Sequence, residues 1–177
     1  MKERLSAAWL VADFFTHSYR ISGRVDVRQK KLADQLNDHT TAFLQLEDVY
    51  VSNIGRPADI ITSHPISILR KHNITAVVVP HHEDGLPREQ TYGSYFGTYL
   101  RKAFVTIPFF QIEGYLRLSG RLDLRTALTA GAGDFVSLFD GQMRSSVRPD
   151  VMFAGGAILV NRSHVGAFWL EEEEEEG

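Results

Sequence analysis

YRISGRVDVRQKKLADQLNDHTTAFLQLEDVYV, residues 19–51, decides how the chain is read, because its pattern is written a second time. Tyr19, Ile21, Gly23 and Val25 recur 91 positions later as Phe110, Ile112, Gly114 and Leu116. Leu32, Leu36, Phe43, Leu46 and Asp48 recur 92 positions later as Leu124, Leu128, Phe135, Leu138 and Asp140. Apart from the aspartate, the matches fall on apolar or glycine positions while the polar spacers differ, as a shared core would require. A third block, Ile68–Val77, maps 91 positions on to Leu159–Phe168. A period this long exceeds a solenoid unit and fits a duplicated small domain.

Within each copy the pattern changes from period two to period four and back. Ile21, Gly23, Val25 and Val27 alternate with Arg20, Ser22, Arg24 and Asp26, which predicts a half-exposed strand. Gly23 and Gly114 lie on the apolar phase, where a bulge, a bend or a crossing backbone leaves no room for a large side chain. Lys30–Asn37 reads as a short helix through Leu32 and Leu36. Its counterpart, Arg121–Thr129, uses Leu124 and Leu128 and ends in Gly131 and Gly133. Thr41–Val51 is a second strand whose apolar phase slips across Glu47-Asp48, as the copy slips at Asp140-Gly141; the slip predicts a bulge that bends the strand. Loops follow at Asn53–Asp59 and Arg144–Asp150. Each copy then closes with two short strands around a polar turn: Ile66–Leu69 and Ile74–Val79 around Lys71-His72-Asn73, and Ala157–Val160 and Val165–Trp169 around Arg162-Ser163-His164.

Outside the repeat, residues 2–15 place Leu5, Ala8, Trp9, Ala12 and Phe15 at helical spacing, with Lys2, Glu3, Arg4 and Asp13 on the other side. This predicts an amphipathic helix that covers its own core or docks on a partner, with Leu5, Trp9 and Phe15 as the interface. His81–Pro87 is a polar loop and the domain boundary. Tyr92, Tyr95, Phe96 and Tyr99 follow at helical spacing, although Gly93 and Gly97 would each cost a helix about 1 kcal/mol. Phe104–Leu118 reads as one long strand, bent or interrupted at Pro108. The expected organisation is a helix plus first repeat over 1–80, a linker over 81–104, a second repeat over 105–170 and a disordered acidic tail over 171–177.

Composition bounds the function. The 177 residues are 44% hydrophobic and 23% charged, as in an ordinary globular chain. Setting aside Glu171–Glu176 leaves 16 acidic against 19 basic residues, so the body carries about +3. That is little for a nucleic-acid binder, which concentrates basic charge on one face. Cysteine is absent, which excludes disulfides and cysteine-ligated metals. Neither a signal peptide nor a membrane-spanning stretch is evident, and the cytoplasm is the expected compartment. The sequence holds no nucleophile elbow, phosphate-binding glycine loop or metalloprotease helix. His81-His82-Glu83-Asp84 offers four ligand types in a row, but adjacent residues in an extended loop point apart, so no metal is expected there. No catalytic residue and no cofactor is expected either.

The closing segments Ile68-Leu69-Arg70-Lys71-His72-Asn73-Ile74 and Leu159-Val160-Asn161-Arg162-Ser163-His164-Val165 resemble the end of Sm-like small β-barrels. A last hairpin there carries a basic or polar turn followed by an isoleucine-type strand. The resemblance covers about a third of each copy. It implies a mainly β fold of two tandem bent-strand barrels, SH3- or Sm-like, with short helices between strands and a helix in front. It also implies candidate binding residues in the turns, namely Arg70, Lys71, His72, Asn161, Arg162 and His164. Sm-like chains do not usually carry a helix such as Leu32–Asn37 between the first two strands, and Asp48 is followed by Val49 and Tyr50 where that family reads RNA with an aspartate–asparagine pair. The expected function is a non-catalytic interaction or assembly module with a protein partner or a second copy of itself. RNA binding by an Sm-like protein, and a split-barrel enzyme holding a flavin or other small ligand, are the alternatives.

Overall fold

A computed structural model of the chain describes residues 8–88, 98–119, 125, 128 and 133–172. Ten strands dominate it: β1 (Trp9–Phe15), β2 (Tyr19–Asp26), β3 (Phe43–Asn53), β4 (Ile60–Arg70), β5 (Ala76–Val79), β6 (Thr98–Ile107), β7 (Phe110–Ser119), β8 (Phe135–Ser145), β9 (Met152–Asn161) and β10 (Ala167–Leu170). One short helix, α1 (Leu32–Leu36), stands between β2 and β3. The strands form a single antiparallel sheet in the order β10-β6-β7-β8-β9-β5-β1-β2-β3-β4.

The sheet therefore runs β5-β1-β2-β3-β4 through the first half and β10-β6-β7-β8-β9 through the second, and β5 pairs with β9 where they meet. This corrects the expectation of two closed barrels: the strands of both halves belong to one continuous sheet. The reason lies in Ala76-Val77-Val78-Val79 and Ala157-Ile158-Leu159-Val160, runs with no polar position. Strands of that kind are buried on both faces. Here Val77, Val79, Ala157 and Leu159 face one apolar core, while Ala76, Val78, Ile158 and Val160 face a second.

The expected N-terminal helix is also corrected. Trp9–Phe15 is a strand paired on one side with β2, Trp9↔Asp26 through Phe15↔Arg20, and on the other with β5. Leu10, Ala12 and Phe14 are buried in alternation, and helical spacing was a coincidence of an apolar stretch rich in aromatics. Phe104–Leu118 is likewise two strands and not one. β6 and β7 form a hairpin closed by Ile107↔Phe110, with Pro108 leading and Phe109 at φ 69°. Proline followed by a positive-φ residue is the type II turn pattern. β6 begins at Thr98, inside the stretch read as a linker, while the helical reading of residues 92–97 lies outside the described residues. So does most of the helix expected over 121–129.

Other features agree with the sequence reading. Leu32, Ala33 and Leu36 of α1 are buried. The register between β2 and β3 shifts between Ser22 and Arg24, across Gly23, and that between β7 and β8 shifts between Glu113 and Tyr115, across Gly114. Both glycines are buried. The predicted phase slips are positive-φ residues, Asp48 at 50° and Asp140 at 48°. β4 is longer than the sequence suggested, from Ile60 to Arg70, and with β10 it forms the outer edges of the sheet.

Candidate functional site

Because β5 pairs with β9, the turn that leads into β5 and the turn that follows β9 are brought side by side. Lys71–Asn73 and Arg162–His164 are each one 3-10 turn. His164 Nε2 lies 2.8 Å from the carbonyl oxygen of His72; a carbonyl only accepts, so this nitrogen carries the proton. The His164 ring also lies 5.1 Å from that of His17. A cleft of about 270 Å³ opens beside the two turns, and its wall includes His39, Arg70, Lys71, His72, Asp134 and Asn161.

The structure thus gathers the nominated turn residues, and the fold already uses polar groups of several of them. Lys71 is buried, and its Nζ donates to Thr41 Oγ1 at 2.6 Å and to the Asp38 carbonyl at 3.1 Å. Burial pushes its pKa below the ordinary lysine value, and the Asp38 charge opposes that shift. The Arg70 guanidinium sits 4.6 Å over the Phe43 ring. Asn161, also buried, donates to the Ile74 carbonyl at 2.9 Å and accepts from the Ser163 N–H and hydroxyl. Arg162 donates to the Leu128 carbonyl at 3.1 Å. Around them His39 faces Asp134 at 3.4 Å, and Lys30 faces Asp38 at 2.6 Å. The cleft wall thus carries the carboxylates of Asp38 and Asp134 as well as Arg70 and Lys71.

Other nominated residues have different fates. Phe15 is fully buried against Phe110 and Phe153, with ring centroids 5.3 and 4.9 Å away, and has no surface to offer a partner. Trp9 is half-buried beneath the guanidinium of Arg24, 4.5 Å from its ring. Leu5 lies outside the described residues. In the histidine loop, His82 stacks on Phe139 at 4.1 Å, and Asp84 accepts the His81 N–H at 3.2 Å.

The sequence reading expected self-association through exposed strand edges, but it identified neither the joint between the halves nor the strands that form the outer edges. At the joint, Ala76↔Val160, Val77↔Leu159, Val78↔Ile158 and Val79↔Ala157 pair antiparallel. The two wholly apolar runs were the available signal. At the outer edges, Ile60, Ile61, Ile66 and Ile68 of β4 and Trp169 of β10 are exposed. An exposed apolar edge strand is a template for another strand.

No protein family, curated protein or solved structure matches the chain.

Proposed function

We propose that this protein is a non-catalytic assembly module: two copies of one five-stranded unit, joined edge to edge, that builds a larger particle from further copies of itself. The observation that carries this reading is the β5–β9 joint, by which the sheet already joins one unit to the next through four residue pairs. The strand order is the same in the two halves, and equivalent hydrogen bonds recur at the repeat offset. Thr75 N donates to Phe15 O at 2.8 Å, and Gly166 N donates to Thr106 O at 2.8 Å. Ile54 N bonds Ser18 O, and Ser146 N bonds Phe109 O. Each half offers two edges, and the joint uses one from each.

Internal use of the turn residues supports a structural role over a ligand-binding one. Lys71 and Asn161 are buried and already donate to protein oxygens, and Arg162 gives one donor to the Leu128 carbonyl. Solution mass by light scattering tests the proposal. The expected result is a particle several times the single-chain mass across a range of concentrations; a single-chain mass throughout would overturn it.

A further inference from the structure

The proposed assembly leaves open which surfaces meet, and the internal joint answers that. Resting on the assembly reading, we propose that β10 of one copy pairs antiparallel with β4 of the next, in the register that β5 and β9 use within the chain. Moving the joint by the repeat offset of 91 converts its four pairs into Ala167↔Leu69, Phe168↔Ile68, Trp169↔Ser67 and Leu170↔Ile66.

Burial at corresponding places points the same way. Ala157 and Leu159 are buried by the internal joint, and their counterparts Ile66 and Ile68 are each 58% exposed. Val78 is buried, and its counterpart Trp169 is 50% exposed. Each free edge shows, in the same phase, the apolar side chains that the joint covers. The edges are also of opposite kinds, a β4-type and a β10-type, so they complement each other and not themselves. Contacts between unlike edges add copies head to tail.

The limits of the pairing are written into the sequence. After β5 the chain crosses β9 closely: Gly156 N donates to Pro80 O, and a Cβ on Gly156 would lie 2.5 Å from the His81 backbone. Pro65 occupies the place of Gly156 on β4, with no N–H to give and a ring in the way. A partner's chain must therefore leave the β4 edge after Leu170. The next residues are the glutamates from Glu171 to Glu176, a run suited to solvent and not to pairing. The acidic segment begins where the register requires the contact to end.

The chain has no cysteine, so a disulfide reports the register directly. Opposed residues on antiparallel strands have Cα atoms roughly 4.5–5.5 Å apart, within disulfide range. The full chain carrying Ser67→Cys and Trp169→Cys should give a ladder of covalent multimers on mild oxidation. Ile60→Cys with Trp169→Cys should give none. Each single-cysteine protein should also give none, since a crosslink from Ser67→Cys alone would mean that β4 meets β4 and would overturn the proposal. Ile68→Asp on the otherwise native chain is a second measurement that leaves the core untouched. It should reduce the particle to single-chain mass with an unchanged circular dichroism spectrum. A multimer that keeps its mass in Ile68→Asp, and gives no 67–169 crosslink, would overturn this edge pairing while leaving the assembly reading intact. A native chain of single-chain mass would remove both.

Discussion

Gly23 and Gly114 hold corresponding places in β2 and β7, but the space around them differs. A Cβ on Gly114 would lie 2.9 Å from Leu138 Cβ and 3.1 Å from the Phe139 carbonyl oxygen; on Gly23 the nearest atom is Val49 Cγ2 at 3.2 Å. Backbone oxygen at a bulge has little freedom to move, whereas a valine methyl has some. Gly114→Ala should cost about 1–3 kcal/mol by overpacking, and Gly23→Ala clearly less. Urea midpoints check this, and equal costs would show that the crossing strand is not the constraint. Asp38 gives a pH-dependent counterpart. Hydrogen bonds from Lys30 first, and then from Thr40, hold its carboxyl well below the ordinary 3.8. A carboxyl depressed in the folded state contributes stability above its unfolded value, and the contribution is lost as pH falls through the folded value. Asp38→Asn should therefore be less stable than the native chain near neutrality, and the two should converge in acid. Urea midpoints measured across that range would contradict the assignment if the difference stayed constant. Much at this level could be read from the sequence. Glycine on an apolar phase and a slipped phase at aspartate each have one local cause. The roles of Lys71 and Arg162 could not be read, because their partners, Asp38 and Leu128, lie 33 and 34 positions away.

Among the elements, β1 shows why pattern alone can mislead. In Trp-Leu-Val-Ala-Asp-Phe-Phe almost every position is apolar, so both a period of two and a helical period find support. Its neighbours decide the matter: β2 pairs with it along one side, β5 pairs with Asp13–Phe15 on the other, and Leu10, Ala12 and Phe14 enter the first core. Phe15, at its end, enters the second. Strand β1 thus ties the two cores together. Deleting residues through Phe15 should abolish cooperative unfolding and the β-sheet circular dichroism signal, not merely lower the particle mass. A truncated chain that keeps its sheet and loses only mass would restore the peripheral role inferred from helical spacing. The strands flanking Pro108 teach a similar lesson. Proline marked an interruption, but only the pairing of Ile107 with Phe110 shows that the chain reverses there.

At the level of the whole protein, the sequence shows a recurring apolar pattern, and the two halves of the sheet follow the orders β5-β1-β2-β3-β4 and β10-β6-β7-β8-β9. The β5–β9 pairing could not be read from the sequence, because the two strands are 78 to 84 positions apart where they pair. Charge supplies the remaining test of function. The body carries about +3 once the glutamate run is set aside, and the first glutamate is seated beside basic residues. Glu171 N donates to Lys102 O at 2.9 Å, and its own carbonyl accepts from Arg101. If the basic turns bound a polyanion, a tethered acidic run would compete at high effective concentration. Removing residues 172–176, while leaving Glu171 and its pairing in place, would then tighten RNA or heparin binding, and the gain would shrink as salt rose. An assembly module predicts no such change. We expect negligible polyanion binding by both proteins at low salt. Lys71 and Arg162 already donate to protein oxygens, Arg70 stacks on Phe43, and a body of this charge attracts a polyanion only weakly. Salt-sensitive binding that appears when the tail is removed would instead assign the turns to nucleic acid.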